Sequence, residues 1–304
     1  MSEFSSLALG IDVGGTKIAA GLVSFPSARV QFRRQISTRP ERGGAAILDD
    51  VVTLATELLK EAVLPSAHLA GLGIGLCELV SPQGQILSAN CLHWQDQPVR
   101  ERLGSLAPVT LEADVRAAAR AEACFGAGRP FRSFLYITVG TGIASCLVLD
   151  GTPYVGARGA TGTMGSSPFN LPCDPCGHVN RQTLEELASG PALVARFNRL
   201  RPGAAESGQE VLAAAAAGDR AARSVVQSAG QALQGAVGLL VNVLDPEAVI
   251  IGGGLGLAEG PFGDEFRAGS RRQIWSDVHR DLPILQAETG ADAGLIAAAY
   301  SAVR

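Results

Sequence analysis

Aromatic side chains are scarce in this sequence, at 5% of residues against a hydrophobic fraction of 47%. A core with so few rings must be filled by Ala, Val, Leu and Ile, which is ordinary for an α/β enzyme. Basic runs are also missing. The formal net charge is −4 and the sequence pI is about 5.6, with no Lys/Arg stripe to neutralise a phosphate backbone, so nucleic acid is not an expected partner. No apolar run reaches bilayer-spanning length, and the opening residues MSEFSS lack the basic and apolar regions of a secretory signal. The expectation is a cytoplasmic protein with no membrane partner. Of six cysteines, Cys77, Cys91, Cys124 and Cys146 sit singly in apolar segments, where a buried thiol is the ordinary reading. Only Cys173 and Cys176 are closely spaced, and in a cytosolic chain such a pair points to metal or to vestige before disulfide.

What is present suffices for one large or two mid-sized domains. Residues 7–23, LALGIDVGGTKIAAGLV, read as a strand over 7–13, a Gly14-Gly15 turn and a returning strand over 18–23, with a third strand near 30–37. Ile47, Val51, Leu54, Leu58, Leu59 and Ala62 have helical spacing, and LAGLGIGL from Leu69 is a buried strand. The logic repeats from Phe134: FLYITVGTG runs into glycines, IASCLVLDG returns, and Asp150-Gly151 signals a hairpin turn. Two such halves form an internal repeat, whose natural ligand site would be a cleft between them. Between the halves a short strand at 109–111 leads through Glu112, Ala113 and Asp114 into an Ala-rich helix ending near Phe125. Further on, AARSVVQSAGQALQGAVGLLVNVL is a long helix stopped by Asp245-Pro246, AVIIGGGLG a strand, and GADAGLIAAAYSAV a closing helix. RPGAAESGQ reads as a flexible loop.

Two readings compete at each motif. Gly14 and Gly15 are usable merely as a hairpin turn. Alternatively their amides approach phosphate oxygens, with Thr16 and Lys17 as added donors and Asp12 holding Mg²⁺ directly or through water. The second turn, Gly140-Thr141-Gly142, favours the phosphate reading, because two opposed Gly/Thr hairpins can clamp one polyphosphate; otherwise its glycines only permit tight bending. Gly252, Gly253 and Gly254 follow a buried strand, where adenine or ribose could lie flat on backbone. Asp114 could serve as a helix N-cap, as a general base toward an attacking hydroxyl, or as both. Glu112, on the opposite face of its strand, reads as structural.

In this order the motifs resemble the ROK family of sugar kinases and repressors. The resemblance covers essentially the whole chain: the Asp12 loop, GLGIG, LEADVRAAARAE, VGTGI…LVLDG, GARGATGTMG, LEELASG, NVLDPEAVIIGGGLG and GADAGLIAAA. It implies an α/β, actin-like ATPase fold (hexokinase-type, ribonuclease H-like) in two domains. The small domain is expected over residues 1–113 plus 290–304 and the larger over 114–289, with an inter-domain cleft that closes over ATP and acceptor. It implies ATP-dependent phosphorylation of a sugar hydroxyl, with Asp114 as base, Gly14 to Lys17 and Gly140 to Gly142 as phosphate loops, Asp12 as the Mg²⁺ carboxylate, Gly252 to Gly254 in the adenosine pocket and Glu185 at the sugar. A homodimer is likewise implied.

The departures bear on the acceptor. Ala113 stands where the family has a sugar-contacting Asn, Thr163 replaces a sugar-binding Glu, and Ser166 replaces a His that touches sugar and zinc. Arg116 replaces a second Asn; it reads either as a solvated helix residue or as an answer to a polar or anionic group of the substrate. Sites built to hydrogen-bond particular hydroxyls discriminate strongly, so the expected acceptor is a sugar or sugar-like polyol other than plain glucose, such as an amino sugar or a C7-cyclitol. Thr183 stands at the expected position of the last zinc Cys. Cys173, Cys176 and His178 alone fall short of the closed tetrahedral set of a structural zinc site, and the balance is against Zn²⁺. The rival readings are a pseudokinase and a sugar-responsive regulator; the phosphate loop begins too early for a preceding DNA-binding domain.

Overall fold

The computed structural model describes residues 6–63, 68–172, 176 and 179–303. In chain order the first elements are β1 (Ser6–Val13), β2 (Lys17–Phe25), β3 (Arg29–Ser37), α1 (Gly44–Glu61), β4 (Gly71–Leu76), α2 (Val99–Gly104), β5 (Val109–Ala113) and α3 (Asp114–Phe125). Then follow β6 (Ser133–Val139), β7 (Ile143–Leu149), β8 (Thr152–Pro153), β9 (Pro168–Pro172), β10 (Val179–Thr183), α4 (Leu184–Ala188), α5 (Gly190–Leu200), α6 (Gly208–Ala216) and α7 (Arg220–Leu244). The chain ends with β11 (Ala248–Gly252), α8 (Pro261–Gln273), β12 (Ile284–Gln286) and α9 (Ala293–Ser301).

Contacts divide the chain into two units: residues 1–129 with 151–161 and 288–304, and residues 130–150 with 162–287. The division falls after residue 129 rather than at the expected 113/114. Helix α3 goes with the first unit because its small side chains Ala117 and Ala121 are buried against Ala297 of α9, an apolar seam that outweighs the break suggested by the strand-to-helix junction.

In the first unit the sheet order is β3-β2-β1-β4-β5. Strands β1 and β2 form an antiparallel hairpin, whereas β4 lies parallel to β1 and β5 parallel to β4. Every residue of β4 is buried, as expected of a central parallel strand covered on both faces. One face packs into a cluster with Ile47, Val51, Leu54 and Leu58 of α1 and with Trp94, whose indole N–H donates to the Gly44 carbonyl at 2.9 Å. Each fully buried Leu or Ile contributes on the order of 2 kcal/mol. The other face carries α9, and only a glycine fits at position 73 because a β-carbon there would run into the Ala298 carbonyl.

The second sheet repeats the plan with order β12-β11-β6-β7-β8: β6 and β7 are an antiparallel hairpin, β11 is parallel to β6, and β12 is parallel to β11. The turn that leaves β7 toward β8 carries Asp150 and Gly151, both at positive φ (47° and 71°), as the Asp-Gly signal requires. The 25-residue helix α7 stops at Asp245 in the left-handed region. The segment RPGAAESGQ is only partly a loop. Ser207 caps α6 by accepting from the Glu210 amide, and Ala205 is buried, because the run of alanines beyond it can bury a face once a cap starts the helix.

Candidate functional site

In the first unit, strand pairing brings Asp12 of β1 opposite Gly75 of β4, and Gly75 opposite Glu112 of β5. A β-carbon at Gly75 would stand 3.7 Å from Asp12 Oδ1 and 3.9 Å from the Asp114 Cα, so the two aspartates flank this glycine at the carboxyl ends of parallel strands. Such ends are where ligands bind in open α/β sheets. Gly294, in the first turn of α9, abuts the Asp12 carboxylate, which a β-carbon there would strike. The positive end of that helix faces the acid.

Both carboxylates are only partly exposed. Burial pushes Asp12 up to about 6, opposed by the Lys17 ammonium. Burial first, and the Asp12 charge second, push Asp114 up to about 7; a hydrogen bond from the Val115 amide at 2.6 Å and the Arg116 guanidinium work the other way. A carboxyl that accepts protons near neutrality has the proton affinity of a working general base. Asp114 is not the N-cap of α3. Ala113 holds that position in extended conformation and Asp114 begins the helix, because β5 continues through residue 113.

The first glycine turn is closed by the Gly14 amide donating to the Lys17 carbonyl at 3.0 Å. Thr16 and Lys17 are exposed. Buried Thr38, just past the end of β3, locks the turn, its hydroxyl donating to the Gly14 carbonyl at 2.6 Å and its amide to the Thr16 carbonyl at 3.0 Å. Nothing in the sequence marks Thr38, since a threonine at a strand end is unremarkable until the pairing is known.

Glu78 is a second residue the sequence left silent. Its carboxylate accepts from the Ser88 hydroxyl and from the amides of Asn90, Cys91 and Leu92, at 2.5 to 2.9 Å. Burial works to raise its proton affinity, but these donors outweigh it and hold Glu78 below the usual carboxylate range. The Cys77 thiol shares a hydrogen bond with Cys91, which together with burial and the nearby Asp114 charge raises it above the ordinary thiol range. The Cys91 sulfur lies 2.6 Å from where a β-carbon at Gly15 would be.

Arg116 is not a solvated residue. It is buried, and its guanidinium donates to the carbonyls of Gly159 at 3.1 Å and Val80 at 2.7 Å, with Glu112 3.8 Å away. Glu112 also pairs with Arg120 at 2.8 Å, in keeping with a structural role.

In the second unit the Gly140 amide donates to the Gly142 carbonyl at 2.9 Å, and the exposed Thr141 tips the turn. The Val139 carbonyl accepts from Leu255 and Gly256 at 2.9 and 3.0 Å, which draws the β11 glycines alongside: a β-carbon at Gly140 would lie 3.8 Å from the Gly254 amide. Gly252, Gly253 and Gly254 therefore adjoin the turn. Glu185 of α4 accepts from the Ile143 amide at 2.9 Å, at the exit of the same turn. Thr163 and Ser166 are exposed and bracket a short 3₁₀ turn packed against β7 and α4. Gly140 to Gly142, Gly252 to Gly254, Glu185, Thr163 and Ser166 are thus gathered in one unit, and Asp12, Gly14 to Lys17, Ala113 and Asp114 in the other.

Cys173 and His178 lie outside the described residues, and Cys176 is exposed. Thr183 caps α4 in a reciprocal capping box with Glu186, a helix-starting task that needs a hydroxyl rather than a thiolate. Among the described residues no group of three or more His, Cys, Asp or Glu is placed to hold a metal ion, and no helix is long and apolar enough to cross a membrane.

The bifunctional enzyme NanE/NanK of Brucella melitensis is 33% identical over 300 residues, which cover 97% of this chain and 54% of that protein; the chain spans about half the length of the first curated relatives it matches. The N-acetylmannosamine kinase of Vibrio vulnificus is 32% identical over 83% of this chain and 84% of its own. Among solved structures, a ROK family glucokinase from Streptomyces griseus in complex with glucose and AMPPNP superposes with a TM-score of 0.80 at 26% identity, covering 97% of this chain and 99% of that one. The two five-stranded sheets and these neighbours give the chain the hexokinase-type, actin-like ATPase fold. The ROK family profile matches residues 8–304, and the chain belongs to the ROK family.

Proposed function

We propose that this chain transfers the γ-phosphoryl group of ATP to a hydroxyl of a sugar or sugar-like polyol. The observation that carries the reading is Asp114: a carboxyl at a parallel-strand end, beside Asp12, whose proton affinity lies near neutrality. It would take the proton of the attacking hydroxyl as the bond to phosphorus forms. The amides of Gly14 to Lys17 and Gly140 to Gly142 would hold the phosphates, and Gly252 to Gly254 the adenosine. Asp12 fits Mg²⁺, which keeps several waters and needs only one or two carboxylates beside the nucleotide phosphates; when bound it neutralises charge developing on the transferred group. No comparable set exists for zinc among the described residues, so no step is assigned to it.

An amino sugar is the acceptor class favoured here. Ala113, Thr163 and Ser166 replace the Asn, Glu and His with which the family contacts sugar hydroxyls, and a relative is named for N-acetylmannosamine, an acylated amino sugar. C7-cyclitols are the next class to try. The test is ADP release with Mg-ATP across hexoses, amino and N-acyl hexoses and cyclitols, beside Asp114→Ala. Turnover on a non-glucose acceptor that falls by roughly 10²- to 10⁴-fold in the variant is expected. Equal turnover in the variant overturns the base assignment, and silence across the panel with ATP still bound favours a pseudokinase.

A further inference from the structure

The chain passes between its two units four times, after residues 129, 150, 161 and 287. Helix α3 is attached to the first unit's side of every one of these connections. The Glu122 side chain is fully buried. Its carboxylate accepts from the Ala127 amide at 2.9 Å, two residues before the first connection, and from the amides of Glu288 and Thr289 at 3.1 and 2.9 Å, at the start of the segment that returns from the last. The Thr289 hydroxyl donates to it as well. The Glu122 carbonyl takes the Gly126 and Gly128 amides, both at 3.1 Å. One turn and a half earlier on the same helix, Arg116 holds Gly159, two residues before the third connection, and β8, just after the second, packs on α3.

We propose that Glu122 is the hinge clamp of this protein, a positioning residue that fixes the first and last inter-unit connections to the helix bearing Asp114. An apolar residue could fill this space without the cost of desolvating a charge. A carboxylate offers what an apolar side chain cannot, namely enough lone pairs to bind amides of two connections at once. Rotation about the connections then begins beyond Arg129 and before Glu288, and leaves α3 wound and Asp114 in place. Gly126 belongs to the device, since a β-carbon there would strike the Glu122 carboxylate.

The activity readout rests on the kinase reading above, whereas the exchange readout needs no substrate. Glu122→Gln keeps the shape but replaces one acceptor oxygen by an NH₂ donor. In full-length protein, amide hydrogen exchange at residues 126–129 and 288–289 should quicken together by about tenfold or more in Glu122→Gln, with α1 and β4 as protected as in the wild type. Glu122→Asp should fall between. At saturating ATP and acceptor, kcat should drop about tenfold while the KM for ATP moves less than about twofold, as for an impaired conformational step. Gly126→Ala should reproduce both effects, and carries the test if Glu122→Gln does not fold. Unchanged exchange, exchange that responds at only one connection, or a kcat that falls merely with the folded fraction would overturn the clamp. A wild-type protein silent on every acceptor would sink the kinase reading and leave exchange to decide.

Discussion

The two sheets are copies of one plan that have been given different ends. Each has an antiparallel hairpin whose first strand is extended by parallel neighbours, β1 by β4 and β5, and β6 by β11 and β12. Each hairpin turns through glycine and threonine. In the first unit the chain leaving β4 and β5 carries Cys77, Glu78 and Asp114, and β1 carries Asp12; in the second the corresponding exit of β11 carries Gly252, Gly253 and Gly254. One copy therefore concentrates buried negative charge, and the other offers bare backbone. A shared frame sets the strand ends, while a few residues past each strand decide whether carboxylates or bare backbone stand there.

If that contrast is right, changes at the two strand ends should fail differently. The largest effect is expected at Asp12→Asn, which should lower kcat by on the order of a hundredfold through weaker charge neutralisation. It should also move the acid limb of the pH–rate profile, near pH 7 in the wild type, downward, because the neighbouring negative charge that helps burial raise Asp114 is gone. A limb that stays put would separate the two aspartates.

In the second unit, Gly253→Ala places a side chain at φ 82° and within 2.7 Å of the Val139 amide and the Thr138 hydroxyl. A cost of about 2 kcal/mol in thermal or urea unfolding is expected, with a raised KM for ATP and an unmoved acid limb. A shifted limb would mean the two strand ends do not divide the work.

The smallest effect concerns stability. Asp114 binds its proton more tightly folded, at about 7, than at its ordinary value of 3.8, so the folded state loses stability as pH rises from about 4 to 7. Asp114→Asn removes that loss. Its urea midpoint should match the wild type near pH 4 and exceed it at pH 8, by on the order of 1 kcal/mol once solvent screening is allowed for. A difference that is the same at both pH values would mean that Asp114 titrates alike folded and unfolded.

Much of this was legible in one dimension because it depends on short-range physics. Alternating and continuous apolar runs gave the principal strands and α1, α3, α7 and α9, and the Asp-Gly turn at 150–151 was placed by its backbone requirement alone. The helices α4, α5, α6 and α8 were missed where their start signals, such as Thr183 and Ser207, lie in polar stretches that also read as loops. The sequence by itself determined which residues sit at strand ends, since that follows from the spacing of apolar runs and glycines, and it thereby marked Asp12, Asp114 and both glycine turns.

Only the tertiary structure decided what those residues touch. It turned Arg116 onto backbone carbonyls, because burying a guanidinium demands acceptors and Val80 and Gly159 supply them. It set Thr38 on the first turn and Glu78 beneath residues 88–92. It tied Glu122 to residues 166 and 167 positions away. Hydrogen bonds between segments so far apart leave no periodic trace in the chain, and burial, which raises Asp12 and Asp114, exists only once the first unit's own sheet and α9 have closed around them.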